Sequence, residues 1–198
     1  METFFENPLV EKRLSFDFGD NPGATRYEKW PSHIHIWQQQ GKKAIDFIYA
    51  DTSSKTLFFT EVKDFIKIDK KSETYGEETY SANAQSPFEK TALDELELKF
   101  KDSIRGFEIA SDSTYTDEKN FFLAYKNYAY KVVLHWEFKS GARNEERRKE
   151  QMKLMKIKLR MHLQGVCTHV SVENMLDAPS KNWTVRRLGR NDTFTRVI

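Results

Sequence analysis

Ala44-Ile45-Asp46-Phe47-Ile48-Tyr49-Ala50, followed by Asp51-Thr52-Ser53-Ser54-Lys55 and then Leu57-Phe58-Phe59-Thr60-Glu61-Val62-Lys63, is the stretch that decides the fold. Two runs rich in aromatic and β-branched residues flank a polar turn, the pattern of a β-hairpin. Alternate residues of a strand share a face. Ala44, Asp46, Ile48 and Ala50 therefore line one side of the first strand, and Leu57, Phe59, Glu61 and Lys63 one side of the second. A hairpin centred on Ser53-Ser54 sets Asp46 opposite Glu61, with Cβ atoms about 4.5–5.5 Å apart, and sets Lys63 diagonal to Asp46. A slip of one residue would put these groups on different faces.

Two carboxylates so placed repel each other. Their same-face neighbours Ile48, Ala50, Leu57 and Phe59 are apolar, and so are Ile45, Phe47, Tyr49, Phe58 and Val62 on the other face. A strand apolar on both sides is covered on both. Carboxylates there are costly unless neutralised. A divalent cation neutralises them through oxygen ligands, and Mg²⁺ needs only one or two carboxylates besides water and substrate phosphate. Lys63 would then orient or deprotonate an attacking water and stabilise the charge that develops. The competing reading is an exposed, salt-bridged patch.

Acid-x-Lys triplets alone carry no information, because the chain has five: Glu61/Lys63, Asp69/Lys71, Glu97/Lys99, Asp117/Lys119 and Glu137/Lys139. Asp69 and Asp117 stand in polar, loop-like sequence and Glu97 on an expected helix. Glu137 stands on an expected strand whose hairpin partner, Phe121 to Tyr125, has no acid. Glu61/Lys63 alone has an acid across an apolar hairpin. Ile45-Asp46-Phe47 with Glu61-Val62-Lys63 resembles the PD-(D/E)XK nuclease superfamily, with isoleucine where that pattern has proline. The resemblance implies a restriction-endonuclease-like fold, Asp46, Glu61 and the Val62 carbonyl as Mg²⁺ ligands (Mn²⁺ substituting), and Lys63 as the catalytic lysine. It covers about residues 8–138 in the order αβββαβ. Many members carry a further glutamate on the first helix, for which Glu11 and Glu28 are candidates. The order of acids looks like that of transposon-type and phage-defence endonucleases.

Asn7-Pro8 reads as an N-cap with proline at the first helical position, giving a helix from Pro8 to about Phe16. Gly19 to Gly23 ends it, and His33 to Trp37 alternates as a strand. Residues 66–90 are polar and read as a long loop. Leu93, Leu96, Phe100 and Ile104 share one helical face over 91–105, stopped by Gly106. Phe121 to Tyr125 and Tyr130 to Phe138 read as paired strands. A charged helix spans about Asn144 to Leu163, and Val170 to Val172 and Trp183 to Arg187 read as short closing strands. The expected class is α/β: a mixed central sheet flanked by helices, in one domain over 1–198, with a core at about 8–138 and a basic helical extension at about 140–198.

The chain has 198 residues, 31% of them charged, and a formal net charge of +2. Residues 1–100 carry 13 basic and 18 acidic side chains, whereas 101–198 carry 19 and 12. An acidic half beside a basic half suits a polyanion-binding protein that also holds cations. It equally suits uneven surface charge. Lys99 and Lys101, on the helix after the motif, and Arg147, Arg148, Arg186 and Arg187 are candidate nucleic-acid contacts, with Arg190 beside them. Solvated faces are the alternative for each. Tyr125, Tyr128, Tyr130 and Trp136 offer base stacking or core. His33 and His35 would share a strand face, but no third metal ligand accompanies them. The single cysteine, Cys167, excludes an internal disulfide framework. It reads as a small buried hydrophobe. With no spanning segment and no signal-like N-terminus, the expectation is a cytoplasmic protein off the membrane. The function expected is a Mg²⁺-dependent DNA endonuclease in defence or mobile-element processing, with a homodimer or a targeting protein as partner. The rivals are a non-catalytic nucleic-acid-binding module and an assembly protein, both using the basic half.

Overall fold

The segment after Asn7-Pro8 is a hairpin rather than a helix. In this computed structural model, which describes residues 4–21, 23–64, 66–68, 78–80, 90–137, 145–167 and 169–188, β1 (Leu9–Glu11) pairs antiparallel with β2 (Leu14–Asp17). The alternation Leu14-Ser15-Phe16-Asp17-Phe18 is the strand signal that outweighs the Asn-Pro cap. Asn7 instead ties down the loop after β2: its Nδ2 donates to the Gly19 and Asn21 carbonyls, and its Oδ1 accepts the Phe18 N–H. After β3 (Ala24–Thr25) comes a 3-10 turn at Tyr27–Lys29. His33–Trp37 forms a π-helical turn in place of the expected strand. Residues two apart in a helix do not share a face, so His33 is buried while His35 stacks on Tyr115.

The central hairpin forms in the expected register. β4 (Phe47–Asp51) pairs antiparallel with β5 (Thr56–Asp64), with Phe47 opposite Thr60 and Ile48 opposite Phe59. The ladder ends at Phe47–Thr60, so Asp46 is a bend residue just before β4 and Glu61 lies one residue beyond the last pair on β5. Within the expected polar loop, β6 (Ile66–Ile68) and β7 (Glu78–Tyr80) pair as a two-stranded ribbon. Residues 69–77 and 81–89 of that loop lie outside the described residues. α1 (Lys90–Glu108) runs through Gly106 rather than stopping there. A Cβ at Gly106 would stand 1.9 Å from the Tyr27 hydroxyl, so this glycine admits close helix packing. Phe121 to Tyr125 lie in α2 (Thr116–Tyr125), not in a strand. β8 (Ala129–Glu137) consequently pairs in parallel with β5, and β9 (Val170–Glu173) in parallel with β8. α3 (Glu145–His162) lies between them in sequence, and β10 (Thr184–Arg187) returns to pair with β2.

The result is a mixed α/β protein whose five-stranded sheet has the order β3-β4-β5-β8-β9. As expected for strands apolar on both sides, both faces of that sheet are covered. Ile48, Ala50, Leu57, Phe59, Val132 and Leu134 pack with Leu93, Leu96, Phe100 and Ile104 of α1 and with Met152, Met155 and Leu159 of α3. Phe47, Tyr49, Phe58, Val62 and Val133 pack with Leu9, Leu14, Phe16 and Phe18 and with Trp183, under the smaller sheet β1-β2-β10. Each fully buried large apolar side chain contributes about 1.5–3 kcal/mol. The segment after 145 is thus part of both sheets, through β9 and β10. No described helix is long and apolar enough to cross a membrane.

Candidate active site

The site lies at the open end of the β4–β5 hairpin, where the β1–β2 turn and α1 also arrive. Glu61 faces α1, as its position two residues beyond Phe59 requires, and is 1% exposed. Its Oε1 receives two ammonium groups, Lys63 Nζ at 3.0 Å and Lys99 Nζ at 2.8 Å. Its Oε2 is buried and has no hydrogen-bond partner among the described residues. Asp46, 6% exposed, accepts the Val62 N–H at Oδ2 over 2.6 Å. The Val62 carbonyl accepts the ammonium of Lys12, which reaches in from the β1–β2 turn.

The electrostatics follow from this crowding. Burial first, then the charges of Glu61 and Glu11, push the Asp46 carboxyl up to about 7; Lys12 and the Val62 N–H oppose the rise. Burial and the neighbouring Glu11 likewise raise Glu28. Both candidates for the additional acid therefore stand near the site, but neither on a helix of the expected kind. Glu11 ends β1, and Glu28 sits in the 3-10 turn. Arg26 holds Glu11 at 2.8 Å and Glu6 at 2.7 Å. Burial works against the Lys99 ammonium, yet Glu61, Asp46 and Glu95 outweigh it and raise its pKa, so Lys99 stays a cation.

Asp46, Glu61, Lys63 and the Val62 peptide thus lie close together, although the strand pairing itself stops one residue short of Asp46. Lys99, expected on a DNA-facing surface, joins them. Its signal was present in the sequence, since Lys99 falls three residues after Leu96, inside the apolar stripe of α1, where a cation needs an anionic partner. Lys12 gave no such signal, because nothing local in Val10-Glu11-Lys12-Arg13-Leu14 shows where the turn points.

The other candidates are placed elsewhere. Lys101 bonds Glu97 on α1. Arg148 holds Asp177 through two bonds of 2.8 and 3.0 Å. Arg187 holds Asp64 through bonds of 2.9 and 3.1 Å. Arg147 and Arg186 keep at least part of their surface in solvent, and Arg190 lies outside the described residues. Glu137, set aside on the expectation of a hairpin with 121–125, accepts the Met175 N–H at 2.7 Å, with His135 Nε2 3.1 Å away. Tyr130 packs on Phe59 and Phe107, Tyr125 on Phe121 and Tyr128, and Trp136 is buried, so this set serves the core. Cys167 is buried, its thiol near the Tyr130 and His169 carbonyls, and burial pushes its pKa up.

Among the described residues, one trio of possible ligand atoms lies within 4.8 Å of one another: Asp94, Glu97 and His162. His162 Nδ1 stands 2.9 Å from Glu97 and 3.8 Å from Asp94, and Lys101 takes the other Glu97 oxygen. All three are partly exposed, and the contacts read as an ion-pair cluster joining α1 to α3. The hairpin site differs in having a fully buried oxygen, the Glu61 Oε2, with no partner among the described residues. Oxygen donors from Glu61 and Asp46, one of them unsatisfied, fit a hard dication such as Mg²⁺. No protein-family model, curated protein or solved structure matches this chain.

Proposed function

We propose that the chain is a divalent-metal-dependent nuclease, acting on DNA as an endonuclease. The observation that supports this reading best is the state of Glu61: buried, held at one oxygen by two lysines, and left at the other without a partner among the described residues, beside a second carboxylate that burial makes hard to ionise. Packing alone does not require such an arrangement, since an apolar residue would fill the position at less cost. Asp46 and Glu61 would hold Mg²⁺, which when bound polarises the phosphoryl oxygens and acidifies a water. Lys63, the more exposed of the two lysines on Glu61, orients that water at Nζ. Lys99, fixed as a cation, offers N–H donors to the negative charge that grows on the phosphate. The excess of basic residues in the second half of the chain supports a polyanionic substrate.

The test is incubation of supercoiled plasmid with Mg²⁺ or Mn²⁺, comparing the native chain with Lys63→Met and Asp46→Asn. The native chain should nick or linearise the plasmid. Each variant should lose about a hundredfold or more in rate, the scale of a general acid–base or charge-stabilising group. Equal cleavage by all three, or no uptake of Mn²⁺ by the native chain in calorimetry, would overturn the reading.

A further inference from the structure

Lys12 occupies a position that neither the hairpin pattern nor the metal reading accounts for. Glu11 pairs with Leu14, so Lys12 and Arg13 form a two-residue loop between β1 and β2. Lys12 has φ of 55°, in the left-handed region that glycine or asparagine adopts at least cost. The loop is fixed on both sides. Arg26 donates to the Val10 carbonyl, and the Leu188 N–H donates to the Arg13 carbonyl at 2.8 Å. A long side chain in a turn that favours glycine points to a role for that side chain. The role is visible in its contact: the ammonium bonds the Val62 carbonyl.

We propose that Lys12 is a resident cation of the site: its ammonium takes the Val62 carbonyl, an oxygen of the peptide unit next to the one that bonds Asp46, and so closes it to a divalent ion, leaving Asp46 and Glu61 to hold a single ion. The inference rests on the metal-dependent reading above and adds to it a stoichiometry and a residue from a separate element. Charge supports it. Glu11, Asp46 and Glu61 converge here, and a second dication beside Lys12, Lys63 and Lys99 would meet three ammonium groups. Removing Lys12 frees one oxygen ligand and deletes one positive charge, and both changes favour metal.

Calorimetric titration with Mn²⁺ tests this, using the native chain, Lys12→Gly and Lys12→Arg. Glycine suits the left-handed turn, so Lys12→Gly should fold, and its thermal unfolding checks that. Arginine keeps the charge and serves as a second variant. The native chain and Lys12→Arg should bind one Mn²⁺. Lys12→Gly should bind at least tenfold more tightly or take up a second equivalent. Two ions on the native chain, or identical affinity and stoichiometry in the native chain and Lys12→Gly, would overturn the role of Lys12 and leave the metal site standing. No Mn²⁺ on the native chain would instead sink the metal reading, and this proposal with it.

Discussion

The two ends of the β4–β5 hairpin each carry an aspartate shielded from solvent, and the two are treated in opposite ways. Asp51, at the turn, is surrounded by donors. Its Oδ1 accepts the Ser53 N–H at 2.9 Å and the Ser53 hydroxyl at 2.6 Å, and its Oδ2 accepts the Ser54 hydroxyl at 2.7 Å. Burial alone would raise its pKa, but these bonds outweigh it and hold the carboxyl below the usual range. Asp46, at the open end, has one backbone donor and two acidic neighbours, and rises to about 7. The same hairpin therefore commits its closed end to stability and its open end to an electrostatic imbalance. Ionisation is favoured where donors outnumber acids and opposed where acids outnumber donors.

That contrast can be broken by substitution, and the largest effects concern activity. Asp46→Asn should lower Mg²⁺-dependent plasmid cleavage by about a hundredfold or more. Asp51→Ala should leave the rate within about twofold, since it touches only the turn. Similar losses from both would mean that the two ends are not functionally distinct.

Stability should move the other way. Asp46→Asn removes a carboxyl that is hard to ionise, so in chelator at pH 8 it should raise the unfolding free energy by a few kcal/mol, at about 1.4 kcal/mol per pKa unit. Asp51→Ala leaves the turn donors without their acceptor and should cost about 1–3 kcal/mol. Denaturant unfolding of both variants measures the pair.

The two aspartates also respond oppositely to pH. Asp46 ionises near its usual pKa of 3.8 when unfolded and at about 7 when folded. Between those values the folded state binds the extra proton, so stability in chelator should fall as pH rises from about 4 to 7, and Asp46→Asn should flatten that slope. Asp51 has the opposite sign. Its contribution is present above its unfolded pKa and is lost as pH falls through the lower folded value, a loss that Asp51→Asn should remove. The smallest effect belongs to the Lys101–Glu97 pair on α1, where Lys101→Ala should change stability by about 0.5 kcal/mol or less. A larger change would show that the Asp94–Glu97–His162 cluster holds α1 to α3 more firmly than partly exposed ion pairs do.

The parts of this molecule fixed by local pattern were legible in the sequence. The β4–β5 register followed from two alternating runs about a polar turn, and α1, α3 and β8 from their periodicity. The errors fall where two local signals competed. Asn7-Pro8 looked like a helix start, although Leu14, Phe16 and Phe18 alternate as a strand. Phe121-Phe122-Leu123 looked like a strand, although Thr116-Asp117-Glu118 before it supplies the acidic first turn of a helix. His-Ile-His-Ile-Trp alternated without being a strand. What the sequence could not disclose was tertiary: that β8 pairs in parallel with β5, that Lys12 reaches Val62, and that the anion which Lys99 needs within the apolar stripe of α1 is Glu61.

The parallel pairing of β5 with β8 has a consequence for the order of folding. Asp46 and Glu61 meet through a tight local hairpin, which closes at small entropic cost, whereas Lys99 arrives with the long α1 crossover that parallel strands require. Contact order therefore predicts that the two acids meet before α1 is seated, an order that φ-values at Ile48 and Leu96 would test. Lys99 then adds a second ammonium to a carboxylate that Lys63, on the same strand, already meets, so charge as well as leucines and a phenylalanine holds α1 on the sheet.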